Sequence, residues 1–169
     1  MSDINLDALI EQGEALGRGG DDDGAIAFFE RLVIERPAEP RAHFALGGAF
    51  DSAGREVAAI GPYRLARELG LAGDDLPRWY VQLGSTLRNA GDLDGAITLL
   101  REGKDRFPDD ASIPAFLALA LHTAGQHAAA LVETFDLLLR DPEATGLGRY
   151  QRSLRAYADD LRGDGRATT

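Results

Sequence analysis

Gly20, Gly54, Gly91 and Gly125 stand 34, 37 and 34 residues apart, and an alanine follows five residues after each: Ala25, Ala59, Ala96 and Ala130. A pattern that returns every few tens of residues is the mark of one small unit, copied and stacked. Each copy buries its apolar residues against its neighbours, so function is to be sought on a surface the copies share.

The stretch from Pro77 to Asp110 shows the unit. Tyr80, Leu83, Gly84 and Leu87 recur at i, i+3, i+4 and i+7, which is one face of a helix. Asn89, Ala90, Gly91 and Asp92 interrupt the pattern. A second apolar face runs through Leu93, Ala96, Ile97, Leu100 and Gly103, and Phe107-Pro108 ends it, because proline disfavours helix in the residue before it. The unit is helix, glycine turn, helix, proline exit. Gly84 and Ala96 are small where two helices must approach closely. Gly91 supplies the left-handed residue that ends the first helix. Asp92 and Asp109 stand where a carboxylate caps the next helix.

Read as Tyr80-x2-Leu83-Gly84-x2-Leu87, Ala96-x3-Leu100 and Pro108, this stretch resembles the tetratricopeptide repeat. The same frame fits three more copies. Residues 6–39 carry Leu9, Gln12, Gly13, Leu16, Ala25, Phe29 and Pro37. Residues 40–73 carry His43, Leu46, Gly47, Phe50, Ala59 and Tyr63, with Leu71 in place of the proline. Residues 111–144 carry Pro114, Leu117, Ala118, Leu121, Ala130, Thr134 and Pro142. Asp74-Asp75-Leu76 is inserted before the third copy and lengthens that step. A last apolar face, Leu147, Tyr150, Leu154, Tyr157 and Leu161, predicts a capping helix over about 147–162, followed by a frayed tail, 163–169. The resemblance, strongest to small stand-alone bacterial proteins of this family, implies a single all-α domain: a right-handed superhelical solenoid of four helix pairs plus the C-terminal capping helix.

Composition narrows the function. The net charge of −10 argues against sequence-independent binding to nucleic acid and against anionic membrane surfaces. The chain has no cysteine, which excludes disulfides and thiolate metal sites and fits a reducing, cytoplasmic setting. Met1–Leu6 lacks the basic and apolar segments of a signal peptide, and no apolar run reaches the ~20 residues of a membrane span.

No arrangement of catalytic residues emerges, and no cofactor or metal is expected. The acidic groups Asp21-Asp22-Asp23, Asp74-Asp75 and Asp109-Asp110 precede predicted helices and read as caps. His122 and His127 are five apart across a turn, not an i, i+4 pair on one face. His43 fills an aromatic anchor place. There is no G-x-S-x-G elbow, and Gly17-Arg18-Gly19-Gly20 and Gly146-Leu147-Gly148 follow no strand, so both read as turns. Trp79 reads as packing.

In the family the first helix of each pair lines a concave groove. Carried onto this chain, that places Arg41, Phe44, Arg78, Gln82, Ser85, Arg88, Asn89, Phe116, Leu119 and His122 on the lining. Arg152 and Arg155 join it if the last helix follows the register of Tyr150, Leu154 and Tyr157. Some relatives clamp a partner's C-terminal carboxylate with lysines and asparagines on these helices. Here Arg78 stands at one clamp place, but Ile10, Glu14, Phe44 and Gly48 fill others, so the full clamp is absent. The expected function is non-enzymatic: binding of a protein or peptide partner, of acidic character if the arginines recognise carboxylates. The rival readings are self-assembly, as a homo-dimer for example, and a regulatory subunit or an enzyme with an unrecognised pocket.

Overall fold

The computed structural model describes residues 5–164. Among them the regular structure is helical throughout, with no strand: α1 (Leu6–Arg18), α2 (Asp22–Glu35), α3 (Pro40–Ser52), α4 (Glu56–Glu68), α5 (Asp75–Asn89), α6 (Leu93–Arg106), α7 (Ser112–Thr123), α8 (His127–Leu138), a 3-10 turn (Gly148–Tyr150) and α9 (Gln151–Asp164). None of these helices is long and apolar enough to cross a membrane. All four repeat glycines adopt positive φ, from 68° at Gly54 to 90° at Gly91, as a left-handed helix end requires.

The chain divides between Ala90 and Gly91 into two compact units. The boundary falls in the turn of the third repeat. In the first unit α1 packs on α2, α2 on α3, α3 on α4 and α4 on α5, while α1 and α5 also touch α3. Phe29, Leu32, Ala42 and Leu46 form a buried cluster, with Leu6, Leu9 and Phe50 packed around it. Burying a side chain such as Phe29 contributes about 1.5–3 kcal/mol. In the second unit α6 packs on α7, α7 on α8 and α8 on α9. Lys104 of α6 bonds Glu133 of α8 through both carboxylate oxygens, at 2.9 and 2.6 Å.

The joint between α3, α4 and α5 shows how the repeat signature works. A Cβ on Gly47 would stand 2.5 Å from Cδ1 of Tyr63, so only glycine lets the tyrosine ring lie against α3. Tyr63 is wholly buried, and α5 is fastened to it at two points. Trp79 donates from Nε1 to the Tyr63 carbonyl at 2.7 Å, and the Tyr63 hydroxyl donates to Oε1 of Gln82 at 2.6 Å. Trp79 is thereby a packing residue. His43, also buried, donates from Nε2 to the Pro37 carbonyl at 2.9 Å.

Three details differ from the sequence expectation. Asp21 and Asp92 cap α2 and α6 through Gly24 N and Gly95 N, but α7 is held by Asp110, not Asp109. The Asp110 Oδ1 accepts from Ser112 N at 2.8 Å, Ser112 Oγ at 2.5 Å and Ile113 N at 3.2 Å. Asp74 makes no side-chain cap on α5. The last helix runs Gln151–Asp164, which takes in Gly163 and Asp164 of the expected tail, and 165–169 lie outside the described residues. Its buried contact is Ala158, at 1% exposure, whereas Tyr150 and Tyr157 are 56% and 60% exposed. Arg155 therefore turns towards α8, where its Nη2 bonds the Leu139 carbonyl at 3.4 Å, and Arg162 bonds Asp136 at 2.6 Å. Leu154 and Leu161 of the expected stripe are half-buried on the side of Ala158, while Tyr150 and Tyr157 face out.

Two outcomes follow from these contacts. Gly47→Leu should lower stability by about 1–3 kcal/mol through overpacking against Tyr63, read as a lower melting temperature. An unshifted curve would contradict the close contact. Burial alone would raise the Asp110 carboxyl, but its bonds to Ser112 and Ile113 and the charge of Arg140 outweigh this and hold it below the ordinary carboxylate range. A lowered folded pKa stabilises above the unfolded value, and the benefit is lost as pH falls through the folded value. Asp110→Ala should thus cost about 1 kcal/mol at pH 7, and the gap from the parent should close in acid. A gap that stays constant with pH would contradict the cap.

Candidate functional site

In the first unit α3 and α5 bring together four of the expected groove residues. Asp75 is the hub. Its Oδ2 takes Arg41 Nε at 3.1 Å and its Oδ1 takes Arg78 Nη1 at 2.9 Å. Arg41 also bonds Asp7 of α1 at 2.6 Å, and that bond holds its guanidinium above the ordinary arginine range. The Arg78 guanidinium lies over the Phe44 ring, 5.7 Å from its centre, and the Arg78 side chain remains 58% exposed. Phe44 itself is 7% exposed and tilts against Tyr63, 5.7 Å away. It is the floor under Arg78, not an open apolar contact. Gln82 is occupied by Tyr63.

The remaining residues of α5 sit further along. Ser85 is half-buried. Arg88 donates from Nη2 to the Asn89 side chain at 3.0 Å, and its Nε is buried without a hydrogen-bond partner. Two residues back, Thr86 lies 2.9 Å from the Asp51 carboxylate of α3. Burial raises the Asp51 carboxyl above its ordinary value, the Thr86 bond opposes this, and Glu56 adds to it. The same burial pushes the Tyr63 phenol far up, helped by the charge of Asp51.

Asp7 and Asp75 are the partners of these arginines that the repeat pattern does not single out. Asp75 stands in the first turn of α5, where an acidic residue reads as part of a helix cap. Its spacing of three from Arg78 on one helix was the available signal. Asp7 and Arg41 are one repeat apart, and a pairing between equivalent helices of successive copies leaves no local trace.

In the second unit Phe116 is half-buried on α7, while Leu119 and His122 are exposed, Leu119 by 46%. Leu119 and His122 border a cavity of about 550 Å³ between α7 and α8, whose floor includes Ala118, Ala130 and Thr134. Leu131, on the α8 side, is 48% exposed. At the turn end of this cavity His127 and His122 meet, Nδ1 to Nδ1 at 3.1 Å, with ring centres 4.7 Å apart. The spacing of five, which rules out a pair on one helix, places the two rings together across the turn instead.

Known proteins agree with this architecture. A family model described as tetratrico peptide repeat matches residues 40–161, and a second tetratricopeptide-repeat model matches residues 7–38. The chain is 33% identical over 126 residues to cellulose synthase 2 operon protein C of Komagataeibacter xylinus. The match takes in 74% of this chain but only 10% of that protein. Among solved structures, MamA is similar with a TM-score of 0.68 at 22% identity, over 84% of this chain and 75% of MamA. YrrB, a repeat protein with an unusual peptide-binding site, is similar with a TM-score of 0.65 at 16% identity, over 92% of this chain and 86% of YrrB. The helix–glycine-turn–helix unit, its four in-phase copies and these likenesses converge: the chain belongs to the tetratricopeptide-repeat family.

Proposed function

We propose that this chain is a non-enzymatic module that binds a peptide or partner helix on the open faces of the first helices of its pairs. The observation that carries the reading is Arg78. It is held over Phe44, bonded to Asp75 through Nη1 alone, and more than half exposed. The rest of its planar fork is positioned to take a carboxylate from an acidic or C-terminal segment. Arg88, one helical stretch further along α5, extends the same basic edge.

The energetics limit what this edge supplies. Asp75 already pairs with Arg41 and Arg78, and Asp7 with Arg41, so a partner carboxylate on the free edge of Arg78 adds an exposed ion pair beside the one to Asp75. Exposed pairs are worth about 0–1 kcal/mol. The arginines therefore select and orient the partner, and apolar contact supplies most of the affinity.

Arg78→Glu combined with Arg88→Glu should abolish recovery of the wild-type partner in a pull-down read by mass spectrometry, while circular dichroism stays unchanged. Added salt should weaken the wild-type complex, because partly exposed charges are screened over about 10 Å at 0.1 M ionic strength. A double mutant that retains its partner at full yield would show that these arginines are ordinary solvated charge.

A further inference from the structure

The repeat phase that pairs Gly54 with Gly125 and Ala59 with Ala130 also pairs Gly48 with Leu119, Asp51 with His122 and Tyr63 with Thr134. In the first unit, Asp51 and Tyr63 are what α5 docks on: Thr86 meets Asp51, and Trp79 and Gln82 meet Tyr63. Gln82 also closes over Gly48, with its Oε1 3.7 Å from where a Cβ would stand. In the last pair the counterparts Leu119, His122 and Thr134 border the cavity between α7 and α8. Tyr63 is wholly buried, whereas Thr134 is exposed. The place that a following helix fills on α3–α4 is open on α7–α8.

α9 does not fill it. α5 approaches both α3 and α4, but α9 packs on α8 and, among the described residues, makes no close backbone approach to α7. Its bonds run from Arg162 to Asp136, near the end of α8, and from Arg155 to the carbonyl of Leu139, just past that end.

We infer that the α7–α8 slot receives an amphipathic α-helix of a partner protein, seated as α5 is seated on α3–α4. Such a helix presents a bulky apolar side chain to the floor and a carboxylate to the His122–His127 pair. Both features follow from how the slot differs from its filled counterpart. Tyr63 is replaced by Thr134 and Phe44 by Ala115, so two rings are missing and the incoming helix must supply the volume. The Thr134 hydroxyl is spent on the Ala130 carbonyl, at 2.9 Å, which leaves the floor apolar. Asp51, which faces the Thr86 hydroxyl, becomes His122, whose Nδ1 is engaged with His127. In the pair one Nδ1 donates and the other accepts, so the accepting ring carries its N–H on Nε2, and the strong complement for that donor at the Thr86 place is a carboxylate. The partner's signature is an aromatic or large aliphatic residue followed seven positions later by Asp or Glu, the spacing of Trp79 and Thr86. The inference rests on the protein-binding reading but not on the arginine edge, so the Arg78 and Arg88 substitutions leave it untouched.

The probe is a fluorescein-labelled peptide of residues 74–90 carrying Thr86→Glu, with Thr86→Lys as its control, titrated into the full chain by fluorescence anisotropy. The glutamate peptide should bind roughly tenfold or more tightly than the lysine peptide. His122→Ala with His127→Ala should erase that difference, and Leu119→Arg, which fills the mouth of the slot, should abolish binding of both. Circular dichroism on each variant confirms that it is folded. No binding of the glutamate peptide, or binding that survives Leu119→Arg, would overturn the proposal. A dimer in light scattering that Leu119→Arg dissolves would give the slot to a second copy and overturn it equally.

Discussion

The contact between Gly47 and Tyr63 organises the first unit. With no side chain at residue 47, the tyrosine ring lies flat against α3, and its hydroxyl and main-chain carbonyl then become the two points that hold α5. A repeat protein has no central core to fall back on; each helix is placed by the one before it. One absent side chain thus fixes the seat of α5, and with it the position of Arg78 over Phe44 and of Gln82 over Gly48.

The charge pattern has a related logic. On a chain of net charge −10, several arginines of the first unit are already paired with carboxylates. Arg41 and Arg78 share Asp75, Arg41 takes Asp7, and Arg55 takes Asp23 at 2.5 Å. Pairing sets the guanidinium planes and lowers the entropy cost of presenting them. It also weakens them as sources of affinity, which moves weight to apolar contact. The exposed leucines 119 and 131 and the cavity they border are where such contact is available in the second unit.

Much of the fold was legible in the sequence because the repeat constrains it four times over. Gly20, Gly54, Gly91 and Gly125 mark turns, and their positive φ follows from the need to reverse direction after each first helix. The last helix was legible as a helix but only in part in its register. Of the apolar stripe Tyr150, Leu154, Tyr157 and Leu161, the leucines are half-buried beside Ala158 and the tyrosines are exposed. The salt bridge from Arg162 to Asp136 and the bond from Arg155 to the Leu139 carbonyl hold the helix by its neighbouring face, and hydrophobic periodicity does not register either. The candidate site was legible in its residues and not in their partners. Phase placed Arg41, Phe44, Arg78 and Gln82 on α3 and α5, but nothing local shows that Asp7 reaches Arg41 or that Tyr63 takes Gln82. The meeting of His122 and His127 was hidden for the same reason: it depends on how the turn at Gly125 folds back.

The central claim is that the joint made on α3–α4 is left open on α7–α8. Because the chain has no cysteine, a single introduced thiol reports on one place at a time. The most direct test is the rate at which a water-soluble thiol reagent modifies Thr134→Cys, compared with Ala66→Cys, which is wholly buried, and Val57→Cys, which is 79% exposed. The open slot predicts that Thr134→Cys reacts nearly as fast as Val57→Cys. Protection as strong as that of Ala66→Cys would mean that the slot is already covered in solution, and would contradict the account.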